Sequence, residues 1–284
     1  MRRVVEQWGT VISVDVRRSA DEPPIDERAI DACFSWFARV DDLFSTWRPG
    51  TEIMRIARGE LAVEDASPEV RTVLELCEQV RLESDGAFDI TFGARAKVEP
   101  RPGLAPLDPS GLVKGWAVAR GGDLLREAGA SNFFINAGGD VLTRGRPNGD
   151  EANGDEANGD EANGDEANGD GADGWRLGIQ HPWVRDRVAG VLMVTDAAIA
   201  TSGRYERGDH VLDPRTGLPA IGLASVTVVG PDLAIADAYA TAAVVLGPGA
   251  GMRWLATRAG YEGMGITGDR AVLLTPGFDR YRVS

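Results

Sequence analysis

Residues 234–247 read AIADAYATAAVVLG, and a segment this apolar has few ways to fold. As a helix it is stable only where other elements cover it. One feature interrupts the apolar run: Asp237 lies in its middle and Thr241 follows four residues later. Helix positions i and i+4 share a face. A carboxylate and a hydroxyl on one face can grip a hard cation such as Mg²⁺, which takes oxygen ligands and keeps several waters. The same pair also fits a threonine bonded back to its own helix and an aspartate solvated or paired with an arginine. The helix by itself does not separate the two.

The rest of the chain supplies the cover. TVISVDVR (10–17) alternates and is β-branched, so it reads as a strand. Residues 26–45 place Ile30, Cys33, Phe34, Phe37, Val40 and Phe44 at helical spacing. Residues 67–86 open with Ser67 as N-cap and Pro68 at the first helical position, and end at Gly86. Val70, Val73, Leu74, Cys77 and Val80 form that helix's core face. GAFDITFG (86–93) and LDPSGLVKGWAV (107–118) read as glycine-rich turns beside helix starts. Residues 132–145 hold two apolar strands around Ala137-Gly138-Gly139-Asp140, a hairpin signal. WRLGIQHPW (175–183) is a strand, VAGVLMVTDAAIATSG (188–203) gives two more, and LASVTVVG (223–230) another. After the apolar helix come a second helix near 249–259 and a final strand pair in GMGITGDRAVLLT. Strands and helices mix without regular βαβ alternation. The expectation is an α+β fold, a single domain over 1–284 with a mixed or antiparallel sheet and packed helices.

Residues 150–174 contain four DEANG copies and a related tail, with ten acidic residues and no basic ones. Alanine is the only apolar residue there, so 148–174 is expected to be a disordered, self-repelling insert in a hairpin loop. Its five-residue period does not supply the ligand pattern of an EF-hand. Without those ten charges the net charge falls from −14 to −4, so the acidity says little about partners. Of 30 basic residues only Lys97 and Lys114 are lysines, and the arginines are scattered. With no basic stripe, nucleic-acid binding is not expected. No unbroken apolar run reaches the roughly 18 residues of a membrane span. Glu6 and Gln7 interrupt the N-terminal segment where a signal peptide needs an apolar stretch, so a cytoplasmic location is expected. Cys33 and Cys77 fall on apolar helix faces and read as buried free thiols.

Two further segments carry candidate chemistry. In GRYERGDHVLDPRTGLPA (203–220), His210 precedes Asp213-Pro214-Arg215-Thr216-Gly217. A histidine can move protons near neutral pH and an arginine can hold phosphate, although the same residues also fit a strand histidine and a surface β-turn. In DPSGLVKGWAV (108–118), an aspartate, two glycines and Lys114 lie just before a helix, a place where backbone amides can meet an anion. Neither a Walker A spacing nor a GxGxxG fingerprint is present.

Taken in order, FSTWRPGTEIMRI, SDGAFDIT, LDPSGLVKGWAV, INAGGDVLTRG, AIATSGRYERGDHVLDPRTGLP and SVTVVGPDLAIADAYATAAVVLG resemble the ApbE family, the FAD:protein FMN transferases. The resemblance runs from about Trp8 to Gly247 and implies a fold related to the T-fold. It also implies Mg²⁺-dependent cleavage of FAD, with transfer of its FMN half to a Thr or Ser of a target flavoprotein and release of AMP. Asp237 and Thr241 match metal ligands of that family, and the carbonyl of Val113 matches a third. His210 matches the histidine that assists deprotonation of the target hydroxyl, with Asp213 able to share that role. Trp47 stands where the family often has Tyr, suited to packing on a flavin or adenine ring. Gly86, Ala87 and Phe88 match a nucleotide-contacting turn. Asp108 and Lys114 are expected beside the nucleotide, and Ser202, in the Thr201-Ser202-Gly203 turn, near the same cleft.

Three departures bear on these expectations. Trp8-Gly9-Thr10 replaces Met-Gly-Thr, Ile90 replaces a Pro ahead of a shortened 94–106 link, and Ser110-Gly111-Leu112-Val113-Lys114-Gly115 replaces GGIAKG. Two alternatives stand beside the transferase: a non-catalytic FAD-binding relative that lost turnover with the shortened link, and an FAD pyrophosphatase that keeps the chemistry but uses water, releasing FMN and AMP.

Overall fold

β-branched alternation near the N-terminus sets the first layer of the structure, a computed structural model that describes residues 1–18, 25–93, 107–147, 174–184, 186–203 and 212–283. Strands β1 (Arg2–Gln7) and β2 (Thr10–Arg17) form a hairpin, and β3 (Asn132–Ala137) and β4 (Asp140–Arg144) form a second. Strands β5 (Trp175–Gln180) and β6 (Val188–Val194) make a separate two-stranded sheet. Then β7 (Ala198–Gly203), β8 (Leu223–Gly230), β9 (Glu262–Thr267) and β10 (Val272–Leu274) complete an eight-stranded sheet in the order β1-β2-β3-β4-β7-β8-β9-β10. Every pairing is antiparallel, so of the two sheet types expected it is the antiparallel one that forms.

Period-two alternation sorts the side chains of the large sheet into two cores. Ile12, Val14, Phe133, Ile135, Leu142, Val226 and Val228 face helices α1 (Arg28–Phe44), α3 (Pro68–Glu83), α5 (Ser110–Glu127) and α6 (Leu233–Leu255). Phe134, Val141 and Val229 face the other way, onto β5, β6 and the C-terminal Phe278. Two short helices, α2 (Glu52–Ala57) and α4 (Ile90–Gly93), lie between the longer ones. Trp175 caps the second core, its indole Nε1 donating to the Arg144 and Gly145 carbonyls at 3.2 and 3.0 Å. Phe37 is fully buried on α1, so Phe37→Ala belongs with substitutions costing about 3–5 kcal/mol.

Helix α6 is the hub. It packs on α5 and on strands β7 and β8, and Asp232 caps its start by accepting from the Ile235 N–H at 3.0 Å. Its length and composition suit a membrane span, but 67% of its most apolar window is buried inside this fold. The two helices expected over 234–259 run together across a break at Gly247, whose φ of 81° suits glycine, followed by Pro248.

Other elements differ from expectation. The glycine-rich block 110–118 is helix rather than turn, and Lys114 sits inside α5. Four glycines make α5 a poor helix in isolation. Packing offsets this, because a Cβ at Gly115 would lie 2.4 Å from the Leu233 carbonyl oxygen and one at Gly121 would lie 2.8 Å from the Phe37 ring. Ser67 occupies the N-cap position of α3, yet its side chain makes no capping bond; its backbone N–H donates to Glu52 Oε2 at 2.7 Å. Strand β1 is an exposed edge whose arginines hide its period, and its turn places Trp8 and Gly9 at φ 57° and 71°. The strands flanking the acidic insert belong to different sheets, so it joins the two sheets rather than the arms of a hairpin. The 94–106 link, nearly all of that insert and His210 lie outside the described residues.

Candidate functional site

Thr241 is where separately predicted segments meet. Its Oγ1 lies 3.0 Å from Ser202 Oγ, which joins α6 to β7. A Cβ built at Gly111 would lie 3.3 Å from both Thr241 Oγ1 and the Phe88 ring. The first turn of α5, the 84–92 turn and α6 therefore converge on one hydroxyl. Gly111 allows this because any larger residue needs its neighbours to give way. One helical turn before Thr241, Asp237 is 4% exposed. It acts on Cys77, whose thiol is pushed up to about 12, first by burial and then by the Asp237 charge. Cys33 is pushed up to about 12 by burial alone. Both thiols are free and buried, as expected.

Beside this junction opens a cavity of about 830 Å³, within the size range of small-molecule sites. Val113 and Lys114 of α5, Asp108 before it, Trp47 and Thr201 all line it. Trp47 is 85% exposed, an aromatic plate standing at the cavity without burial in the core. Its neighbour Arg48 bridges Asp41 and Asp42 at 2.9 and 2.8 Å, which fastens the segment to α1. Trp8 also lines the cavity, while its indole Nε1 donates to the Phe37 carbonyl at 3.1 Å. The Trp at this departure thus serves as a strut between the first hairpin and α1. Asp108 Oδ1 accepts from the Ser110 N–H at 3.2 Å, and the Asp108 N–H donates to the Ile90 carbonyl at 2.8 Å. The flanks of the shortened link are therefore tied together.

Lys114 pairs with Asp140 at 2.8 Å. The Asp140 side chain is fully buried at the start of β4, and its Oδ1 also accepts from the Thr201 N–H at 3.3 Å. Asp140 was not singled out from the sequence. The signal was available: a carboxylate immediately after the Gly138-Gly139 turn, in a chain with one lysine within the glycine-rich block. Asn136 supports the same turn, its Oδ1 accepting from the Gly139 N–H at 2.9 Å.

Gly86, Ala87 and Phe88, for which the resemblance implied a nucleotide contact, lie in the turn after α3. Ala87 and Phe88 are buried in the helical core, with the Phe88 N–H donating to Ser84 Oγ at 3.0 Å, and none of the three lines the cavity. Their visible role is to hold the 84–92 turn against Gly111. The 213–217 turn rests on the same region, since a Cβ at Gly86 would be 3.8 Å from Arg215 Cγ and one at Gly217 would be 3.9 Å from the Phe92 ring. Asp213 is gripped by Arg215 through Nε at 2.9 Å and NH2 at 2.8 Å. The Arg215 hydrogen bonds hold its carboxyl below the usual value, which keeps it ionised and makes it a weak proton acceptor.

The donor set fits a hard cation. Asp237, Thr241 and the Val113 carbonyl offer oxygen only, the ligand type of Mg²⁺, which needs few protein ligands when phosphate and water complete its shell. Among the described residues no cluster of three or more His, Cys, Asp or Glu side chains is gathered for a transition metal. Among the described residues, the charged ones lining the cavity are Asp41, Asp108 and Lys114, with Asp140 directly behind the lysine. A pyrophosphate brought there meets little net positive charge from these residues, a setting in which a divalent cation would supply neutralising charge.

A model described as the ApbE family matches residues 8–101 and 95–264. Among curated relatives, an FAD:protein FMN transferase of Vibrio cholerae serotype O1 is 27% identical over 264 residues, covering 75% of this chain and 72% of that protein. One of Escherichia coli K12 is 25% identical over 291 residues, covering 84% and 75%. Among solved structures, flavin transferase ApbE from Vibrio cholerae superposes with a TM-score of 0.77 at 22% identity, covering 99% of this chain and 98% of that one. Apo flavinyl transferase ApbE from Pseudomonas stutzeri gives 0.78 at 23%, covering 99% and 96%. These structures share the α+β fold.

Proposed function

The chain belongs to the ApbE family, and from that premise we propose that it moves FMN from FAD to a Thr or Ser hydroxyl of a target protein, with Mg²⁺ as cofactor and AMP as leaving group. The relatives' printed names carry the coarser statement, an enzyme that transfers flavin from FAD to protein. The convergence of Gly111, Ser202 and Asp237's helix on Thr241, beside a cavity lined by Trp47, Asp108 and Lys114, carries the finer reading.

Each residue has a part in the balance of the reaction. The acceptor oxygen forms a bond to the FMN phosphorus as the bond from that phosphorus to the AMP oxygen breaks. In-line transfer of this kind depends mainly on positioning and on charge neutralisation. Asp237, Thr241 and the Val113 carbonyl would hold Mg²⁺. When bound, the ion neutralises pyrophosphate charge and stabilises the departing AMP. Lys114, fixed by Asp140, presents a second positive charge from the cavity wall. Trp47 offers a face for a flavin or adenine ring. His210 is assigned the proton of the acceptor hydroxyl on the sequence alone. With its carboxyl occupied by Arg215, Asp213 is better suited to holding the 213–217 turn than to accepting that proton.

The test is incubation of purified protein with FAD and Mg²⁺, with and without a candidate acceptor domain, read by intact mass and AMP release. Transfer appears as a target mass gain equal to FMN, abolished by Asp237→Ala and by EDTA. AMP release without target modification would replace the transferase reading with a pyrophosphatase. Bound FAD with no AMP released would leave a flavin-binding protein.

A further inference from the structure

Thr241 needs more than its place on α6 to serve as a metal ligand. A neutral hydroxyl has one proton and two lone pairs. If a lone pair faces a cation, the proton must point elsewhere, into an acceptor. Left alone on a helix, a threonine hydroxyl gives that proton to the carbonyl four residues back, which turns the oxygen along the helix. Here Ser202 Oγ stands 3.0 Å from Thr241 Oγ1, on a different element. Strand pairing fixes its position, because Ser202 is opposite Val226 in the β7–β8 register. The next residue back is pinned the same way, with Thr201 Oγ1 2.9 Å from Thr227 Oγ1 across the two strands. On the third side Gly111 leaves Thr241 room, since even a methyl group there would sit 3.3 Å from the hydroxyl oxygen.

We infer that Ser202 is a positioning residue: it accepts the Thr241 proton and thereby aims the Thr241 lone pair at the cation. This assigns Ser202 an action through Thr241, distinct from direct contact with FAD, and it rests on the Mg²⁺ reading above. A hydroxyl that accepts from Thr241 has its own proton turned away from α6. Removing the partner that orients a metal ligand typically weakens metal affinity about 10–100-fold.

The experiment is a Mn²⁺ titration followed by electron paramagnetic resonance, with and without FAD, on the full-length protein. Ser202→Ala should weaken Mn²⁺ binding about 10-fold or more. Ser202→Thr, which keeps the oxygen, should stay within about twofold of the parent on the same scale. Thr227→Val removes a comparable hydroxyl pair one residue along, at a β8 position that alternates with the helix-facing Val226 and Val228, and should likewise leave Mn²⁺ affinity unchanged. Wild-type affinity in Ser202→Ala, with binding lost in Asp237→Ala, would overturn the inference and leave the metal site standing. A loss in Thr227→Val equal to that in Ser202→Ala would mean a general loosening of β7 and would also overturn it. Undiminished binding in Asp237→Ala would remove the metal reading itself.

Discussion

Gly115→Ala isolates how the spacing of two helices controls the site. The added Cβ would lie 2.4 Å from the Leu233 carbonyl oxygen, 2.7 Å from its carbon and 3.0 Å from Ala234 Cα. These are backbone atoms and cannot swing aside. Restoring even a 3.0 Å separation moves α5 and α6 apart by about 0.6 Å. Stability suffers little, because overpacking costs about 1–3 kcal/mol while replacing a helical glycine by alanine returns about 1 kcal/mol. For a chain of this size that is a fall in Tm of no more than about 8 °C. The site is less tolerant. Val113 is two residues before Gly115, and Asp237 is one turn into α6 from Leu233. Metal–ligand distances hold to about ±0.2 Å, a third of the forced shift. The expected result is a protein that still melts cooperatively but binds Mn²⁺ at least about 10-fold more weakly. Gly190→Ala, where nothing lies within 4 Å of the added atom, is the matched control and should change neither property. Parent-like Mn²⁺ affinity in a folded Gly115→Ala protein would refute the claim that this backbone contact sets the ligand geometry.

Trp47→Ala should leave Tm unchanged, since the side chain is 85% exposed, while FAD affinity measured by flavin fluorescence drops by about the 1–3 kcal/mol of one stacking contact; an unaltered Kd would exclude ring stacking there. Arg215→Ala removes the ion pair that lowers the Asp213 pKa. The pair's stabilisation is present above the ordinary aspartate value near 3.8 and is lost as pH falls through the depressed one. As a partly exposed pair near the surface it contributes about 1 kcal/mol or less, so the Tm difference between parent and variant should be small at pH 7 and vanish in strong acid. A difference that grows on acidification would contradict the assigned sign.

What could be read from the sequence followed from period and from local chemistry. The alternation in 10–17 and 223–230, and the helical spacing in 26–45 and 67–86, exceeded the noise because one face of each element is buried in a shared core. Asp237 and Thr241 stood out because polar residues are rare on α6. Strand β1 was hidden because an edge strand buries little and its alternation is between charge and half-burial. Helix α5 was misread as turn because its glycines answer to Leu233, Phe37 and Leu142, contacts 20 or more residues away that no local window contains. The same reason hid Asp140: its importance lies in a lysine 26 positions earlier and an amide 61 positions later. Ala87 and Phe88 were legible as a turn, but not as one whose side chains point inward.

Helix α6 enters late, after more than 230 residues, yet β7, β8 and α5 all pack on it. As the chain leaves the ribosome, the apolar faces of those elements have nothing to close them until α6 arrives. Ser202 waits 39 residues for Thr241, and Glu83 waits 156 for the Tyr239 hydroxyl that bonds it. The site and the helix-facing core are therefore closed by the same late element, and a nascent chain stalled before residue 233 lacks that closure for both. Such a chain presents an open apolar trough of the kind chaperones hold. Supplying residues 233–284 as a separate peptide to a chain truncated there should restore tertiary structure and metal binding together, because α6, β9, β10 and Phe278 all lie in that segment.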